Sequence, residues 1–432
     1  MRGLLVTLFC LAEASAIAQF RNIKLTEASA GAQIPQSVSI AINQKEQKNI
    51  LAGIGLNTAK YTLDSGRTWN ESILESPFGG YGNPTVISDI KGHFYYFHRS
   101  DPGGLGPNNE GWLDRIVCQK SEDGGKTWST GTSVGNNPPK DQDKQWATVH
   151  PKKQIIYTSW TQFDSYGLKD TNCHSNILFS MSTNAGSKWT KPIQLNQTPG
   201  ECMDDNNAAM GAMTAVAMDG RIFATWAARG TIFFDRSYDT GETWLTNDIA
   251  IGKEANAGVI NIPGISRHSG TPILMVNNGP SRAHGNLYIV HADQKNGEKD
   301  TDIWFLRSVN RGDNWTLPLR INFDEPGKHQ FMPSMTVDQT TGSIYIVYYD
   351  RRAYDDLRTD VYLAYSFDGG SSFREVKISE TPFVPNESKP FADYINIVAI
   401  GGIITPIWTR MDDGVSSVWT TVIKDSELSR AK

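Results

Sequence analysis

The chain has 432 residues, with 41 Lys or Arg against 46 Asp or Glu, so its formal net charge at pH 7 is −5. Because the basic residues are scattered and form no stripe, the composition does not favour nucleic acid as a partner. Beyond the N-terminal segment, no apolar run approaches the roughly 20 residues that a membrane span needs.

Residues 1–18 have the pattern of a cleavable secretory signal. Arg2 is followed by an apolar run and then by the small residues Ala16 and Ala18, an order typical of such signals. We therefore predict that the mature protein is secreted or periplasmic. Residues 19–432 are predicted to form a single domain.

An eight-residue pattern occurs six times along the mature chain. Each copy begins with Ser or Thr, has Asp or Asn third and Gly fifth, and ends with Trp or Phe. The acidic or amide side chain can accept hydrogen bonds from a tight turn, and glycine permits a positive φ. The copies start 55 to 71 residues apart, a spacing that fits one four-stranded propeller blade per copy. They occupy residues 62–69, 121–128, 182–189, 237–244, 308–315 and 366–373.

Short runs of β-branched and aromatic residues, separated by Gly, Asn, Asp and Pro, predict four strands around each copy. The six sets span residues 37–74, 84–134, 146–195, 212–251, 271–321 and 332–378. Three more strands are predicted at 393–400, 402–409 and 416–423.

The last of these sheets lacks an outer strand, and the N-terminus can supply it. Residues 20–26 resemble residues 373–379, the outer strand of the sixth set. Pairing the two ends of the chain removes an open sheet edge and closes the ring. We therefore predict an all-β propeller of seven four-stranded blades closed by the N-terminal strand, with six blades as the alternative.

The loops of such a ring divide between its two faces. The eight-residue turns lie on one face, whereas the loops after each second strand and between blades gather on the other. The latter loops are long and polar, as functional loops on rigid scaffolds often are. We expect the functional site at the mouth that they surround.

The repeated pattern resembles the Asp-box, or BNR repeat, of the sialidase-like (neuraminidase) β-propeller superfamily. The resemblance implies a carbohydrate-active protein, with a glycan or glycoconjugate as its partner and a site away from the boxes. The chain departs from the superfamily's Arg-Ile-Pro, because Gln33 stands before Ile34 and Pro35, and residues 56–59 contain no acid. Glutamine lacks the charged fork that arginine offers a carboxylate. We therefore expect a sialidase-like glycoside hydrolase with a non-standard active site or, alternatively, a non-catalytic propeller that binds glycan or protein.

Other positions match what the resemblance implies better. Tyr394 opens the last inner strand, where the nucleophilic tyrosine is expected, and Glu254 or Glu201 can be its partner. The arginines expected to bind substrate are Arg267, Arg351, Arg352 and Arg410.

Two further groups come from the residues themselves. Asp143 and Asp393 are predicted at the starts of inner strands and can be the two carboxylates, roughly 5 to 10 Å apart, that glycoside hydrolysis usually needs. Trp112 and Trp146 lie on or beside mouth loops, where an aromatic face can stack on a sugar ring.

Cysteine and histidine usage limits the remaining chemistry. Three cysteines remain after signal cleavage, and strand counting places Cys173 and Cys202 in loops on the same face, with Cys118 in a strand. We predict a Cys173–Cys202 disulfide, the alternative being three free thiols. The eight histidines show no spacing that suits zinc, so no metal or cofactor is predicted.

Overall fold

The protein is a ring of seven antiparallel sheets, each with four main strands. A computed structural model describes residues 20–27, 37–109, 111–205, 207–253, 260–266 and 270–428. The architecture confirms the predicted seven-bladed, all-β propeller, and the six-blade alternative was wrong. None of the helices in these ranges has the length and hydrophobicity of a membrane-spanning segment.

The strands follow the chain blade by blade, after β1 (Ile23–Glu27), which belongs to the last blade. The first blade contains β2 (Val38–Ile42), β3 (Ile50–Ile54), β4 (Thr58–Thr62) and β5 (Asn70–Ile73). The second contains β6 (Thr85–Ser88), β7 (Phe94–Arg99), β8 (Ile116–Ser121) and β9 (Thr132–Val134). The third contains β10 (Asp141–Val149), β11 (Ile156–Phe163), β12 (His174–Ser182) and β13 (Ile193–Gln194), with the short β14 (Gly200–Glu201) also paired to β12.

The remaining blades repeat this order. The fourth contains β15 (Met210–Val216), β16 (Ile222–Ala228), β17 (Thr231–Ser237) and β18 (Ile249–Lys253). The fifth contains β19 (Ile273–Val276), β20 (Leu287–Asp293), β21 (Asp302–Ser308) and β22 (Leu319–Arg320). The sixth contains β23 (Gln330–Val337), β24 (Ile344–Asp350), β25 (Asp360–Ser366) and β26 (Arg374–Lys377). The seventh contains β27 (Asn396–Ile400), β28 (Ile403–Asp412) and β29 (Val415–Thr420), followed by β30 (Ile423–Lys424) and the short helix α1 (Asp425–Leu428).

The core lies between neighbouring blades. The second strands of the first six blades are buried along their whole length, because each is covered on both faces by adjacent sheets. The outer strands are more exposed, and β5, for example, is solvent-facing at most positions. The inner strands therefore line the central channel, and the outer strands face solvent.

The six repeated turns share one set of hydrogen bonds. In the second blade, the Ser121 hydroxyl donates to Asp123 Oδ1 at 2.9 Å, and Gly125 N–H donates to Ser121 Oγ at 2.9 Å. The corresponding pairs form in all the other copies. The fifth-position glycine is required by its φ, which is +87° at Gly312, where an added Cβ would lie 2.3 Å from a Phe234 ring carbon. We call the face that carries these turns the box face, and the opposite one the mouth face.

The ring closes through the N-terminal strand, as predicted. β1 pairs antiparallel with β29, from Ile23 opposite Thr420 to Glu27 opposite Ser417. Leu25 of β1 is buried in the core between the first and last blades.

A disulfide joins Cys173 and Cys202, with Cα atoms 5.5 Å apart. This is the pair that the sequence analysis predicted. Cys118 is a buried free thiol on β8.

Candidate functional site

A cavity of about 350 Å³ opens at the centre of the mouth face. Its walls come from loops and strand ends of several blades, including segments after second strands and before inner strands. The side chains that give it chemical character are Tyr81, Asn83, Arg99, Trp112, Lys144, Tyr166, Ser266 and Asp393. We call this space the mouth cavity.

Arg99, the last residue of β7, is held at the cavity by a buried ion pair. Its Nη1 donates to Asp143 Oδ1 at 2.6 Å, and its Nη2 donates to the Tyr81 carbonyl at 2.9 Å. The guanidinium also lies over the Tyr81 ring, 4.9 Å from the centroid. Burial acts to lower the pKa of Arg99, but the charges of Asp143 and Asp393 outweigh it and raise the pKa. The cation is therefore permanent and already paired.

Lys144 enters the cavity from an irregularity in β10. The pairing of β10 with β11 shifts register between Asp143 and Trp146, and Lys144 adopts φ +54° at this bulge. Bulges redirect side chains, and here the Lys144 ammonium lies 3.6 Å from Asp393 Oδ2 and 3.8 Å from Asp204 Oδ2. One lysine of the third blade thus reaches the loop that precedes the seventh blade.

Three aromatic side chains form one wall of the mouth cavity. Trp112 packs edge-on between Tyr81, at a centroid distance of 5.6 Å, and Tyr166, at 6.0 Å. The Tyr166 hydroxyl donates to Asp204 Oδ2 at 2.7 Å, which ties the wall to the carboxylate beside Lys144. Aromatic faces next to fixed polar groups are typical of sites for small polar ligands.

The predicted carboxylates take different positions. Asp393 lines the cavity, with about a quarter of its side chain exposed (26%). Asp143 is fully buried behind Arg99, and its Oδ2 has no hydrogen-bond partner in the described ranges. The strand prediction began the third blade at residue 146, whereas β10 begins at Asp141, so Asp143 and Lys144 lie on the strand and its bulge.

Tyr394, the predicted nucleophile, has its hydroxyl bound to the protein backbone. Its hydroxyl donates to the Pro84 carbonyl at 2.8 Å. Burial and the nearby Asp393 charge raise its pKa well above the usual value. Of its two expected partners, Glu254 lies outside the described residues, and Glu201 accepts a long hydrogen bond from Asn207 at 3.4 Å.

The two predicted tryptophans separate. Trp112 is part of the mouth cavity, as described above. Trp146 instead lines a second space, of about 440 Å³, inside the central channel, and its ring lies 6.0 Å from that of Tyr394. Trp146 therefore faces the channel and does not line the mouth cavity, and its stacking on a sugar stays a prediction.

The three described members of the predicted arginine set do not line the mouth cavity and are bound by other protein groups. Arg351 is buried and donates to the Pro263 carbonyl at 2.7 Å. Arg352 is ion-paired with Asp350 and Glu375.

Arg410 is bound on the last blade. It is paired with Asp412 and lies over the Trp419 ring. Arg267 and the segment from Gln33 to Pro35 lie outside the described residues.

The sequence analysis missed Arg99, Lys144, Tyr81, Tyr166 and Asp204. Two weak signals were present: Arg99 directly follows a predicted buried strand, and Lys144 adjoins the predicted Asp143. Neither position shows which distant carboxylate the cation meets. Among the described residues, no group of three His, Cys, Asp or Glu side chains is placed to hold a metal ion.

Comparison with known proteins identifies the fold but not a family. No protein-family model matches the chain, and no curated protein matches it in sequence. Among solved structures, an ulvan lyase of polysaccharide lyase family PL25 aligns over 94% of this chain and 96% of its own, with 12% identity and a TM-score of 0.56. The α-L-arabinofuranosidase Arb93A from Fusarium graminearum aligns over 94% and 98%, with 11% identity and a TM-score of 0.52. The NanB sialidase from Streptococcus pneumoniae aligns over 88% and 84%, with 10% identity and a TM-score of 0.50.

Proposed function

We propose that this propeller is a glycan-active protein that binds carbohydrate in the mouth cavity. The observation that carries the proposal is the aromatic wall of Tyr81, Trp112 and Tyr166 beside the polar side chains of Lys144 and Asp393. Aromatic rings offer apolar faces on which the C–H faces of a sugar pack, and fixed donors and acceptors bind its hydroxyl groups.

The solved structures that share the fold suggest which ligands to test first. The ulvan lyase, the arabinofuranosidase and the sialidase are all named as enzymes of carbohydrates. Because a shared propeller fold does not fix chemistry, they supply a ligand class for testing and no residue role.

Hydrolysis of a glycosidic bond is the second candidate, favoured by the accessible carboxylate of Asp393. A general acid or base must reach the substrate, and Asp393 lines the cavity whereas Asp143 lies behind Arg99. We assign the acid–base role to Asp393. The sialidase-like form of this proposal also needs Tyr394 to leave the Pro84 carbonyl.

Export is part of the proposal. The Cys173–Cys202 disulfide supports it, because such bonds persist mainly in oxidising compartments. The signal-like pattern of residues 1–18 supports it independently. N-terminal sequencing of protein collected outside the producing cells tests export. A protein that remains inside the cells and still begins at residue 2 would contradict it.

Binding is tested by screening the purified mature protein against a glycan array, followed by calorimetry with each oligosaccharide that binds. Trp112→Ala is expected to weaken binding about tenfold or more, because it removes the middle ring of the wall. Tyr238→Ala is the matched control, since this exposed ring lies in a box turn on the opposite face. Equal loss in both variants, or no oligosaccharide bound by the parent, would contradict the proposed site.

Turnover is tested with the same oligosaccharides by product analysis. Asp393→Asn is expected to lower the rate about 100-fold or more, as loss of a general acid or base does. Asp355→Asn, which changes a fully exposed mouth-face carboxylate, is expected to match the parent. A parent protein that binds these glycans but releases no product favours the non-catalytic alternative.

A further inference from the structure

Given the proposed glycan binding, on which this inference rests, we propose that Lys144 and Asp393 select a neutral sugar unit with adjacent hydroxyl groups and disfavour sugar acids. The two residues come from the third blade and from the loop before the seventh, yet the ammonium and carboxylate lie 3.6 Å apart at the cavity. A ligand at the centre of the mouth therefore meets both.

Charge at the mouth argues against an acidic ligand group. Among the described side chains there, the cations are Arg99 and Lys144, whereas the carboxylates are Asp143, Asp204 and Asp393. Arg99 is neutralised by Asp143 at 2.6 Å. A ligand carboxylate or sulfate beside Lys144 would then face two carboxylates, and like charges in a partly buried site disfavour binding.

Hydrogen-bond chemistry at the same place suits hydroxyl groups. A lysine ammonium only donates and an ionised carboxylate only accepts, whereas each sugar hydroxyl does both. One hydroxyl can accept from Lys144 while its neighbour on the ring donates to Asp393. An acidic substituent can satisfy the lysine but leaves Asp393 facing another acceptor.

The bulge that carries Lys144 can be compared with the bulges of two other inner strands. Two other inner strands have a register shift at the same place, with Gly211 at φ +71° and the buried Met332 at φ +54°. Of these three bulges, only the one in the third blade presents a charged group to the mouth cavity.

The experiment compares neutral and acidic oligosaccharides of the same linkage by calorimetry on the mature protein. The probes are trimers of 1,4-linked galactose and galacturonic acid, and the 1,4-linked glucose trimer with its C6-oxidised form. For each backbone that binds, the neutral trimer is expected to bind at least about tenfold more tightly, because its acidic counterpart meets the carboxylates. Asp393→Asn is expected to reduce that ratio at least about fivefold, whereas Asp355→Asn leaves it unchanged.

Lys144→Gly tests the other member of the pair and keeps the backbone conformation of this bulge, because glycine accepts a positive φ. It is expected to weaken the neutral trimer at least about fivefold, and Lys144→Gln is a second variant that keeps a donor but removes the charge. Tighter binding of the acidic trimers, or a ratio that Asp393→Asn does not move, overturns the selection while leaving glycan binding intact. If no trimer of either kind binds and the glycan array is also blank, glycan binding itself fails and the selection fails with it.

Discussion

The two faces of the ring are built by different means. On the box face, each turn is completed by hydrogen bonds between residues at most four positions apart, such as Gly125 N–H to Ser121 Oγ. At the mouth cavity, two ion pairs join distant parts of the chain, Arg99 with Asp143 and Lys144 with Asp393. Because the hydrogen bonds of each turn are local, the same turn forms six times on the box face. The mouth cavity, in contrast, forms only after the blades have closed into a ring.

The largest expected effect comes from opening that ring. Deleting residues 20–27 removes β1, leaves β29 as a bare edge and exposes the apolar surface that Leu25 covers. We expect the melting temperature to fall by about 10 °C or more, since several kcal/mol of packing and pairing are lost. Differential scanning calorimetry measures this fall.

A pair of point variants shows whether closure, and not any outer strand, is responsible. Leu25→Ala in β1 creates a buried cavity and is expected to cost about 2 to 4 kcal/mol. Ile73→Ala in β5, which is 52% exposed, is expected to cost less than about 1 kcal/mol. Equal losses would mean that the last blade depends on β1 no more than the first depends on its own outer strand.

How far sequence predicts each face follows from the range of its bonds. The glycines and acids of the repeated turns were visible as a pattern, because the residues that form each turn lie within eight positions of the sequence. The closing strand was visible because residues 20–26 resemble residues 373–379. The partner of Arg99 was not visible, because Asp143 lies 44 residues away and the strand that carries it was predicted to begin later. The partner of Arg352, one of the predicted mouth arginines, was not visible either, because Glu375 lies on an outer strand.

Asp235 is a buried acid near the box face, and it leads to a prediction about how stability depends on pH. Asp235 stands two residues before the fourth repeated turn, where the other copies have Lys60, Gln119, Ser180, Leu306 and Ala364. Its Oδ2 is buried and has no hydrogen-bond partner in the described ranges, and burial raises the pKa to about 7.

The sign of the effect follows from this raised pKa. Between about pH 4 and pH 7 the folded state holds a proton on Asp235 that the unfolded state has lost, so stability falls as pH rises through this window. Asp235→Asn should match the parent near pH 4 and be more stable at pH 8, by up to a few kcal/mol. Urea unfolding at both pH values measures the difference. A variant that is less stable than the parent at pH 8 would show that the ionised carboxylate stabilises the fold.

The smallest expected effect compares the same backbone strain on both faces. Arg311, at the fourth position of the fifth box, has φ +65°, and two other boxes already carry glycine there, Gly124 and Gly369. Arg311→Gly relieves the left-handed strain, so we expect it to raise the unfolding free energy by up to about 1 kcal/mol, the unfolded-state entropy of glycine offsetting part of the gain. Lys144→Gly should give a similar gain, because φ is +54° there.

Chemical unfolding measures both gains. Calorimetry with a bound oligosaccharide separates the two variants, because only Lys144→Gly should lose affinity, whereas Arg311 lies in a repeated turn on the box face. If Lys144→Gly destabilises the protein while Arg311→Gly stabilises it, the lysine holds the mouth loops together and its strain is offset by packing.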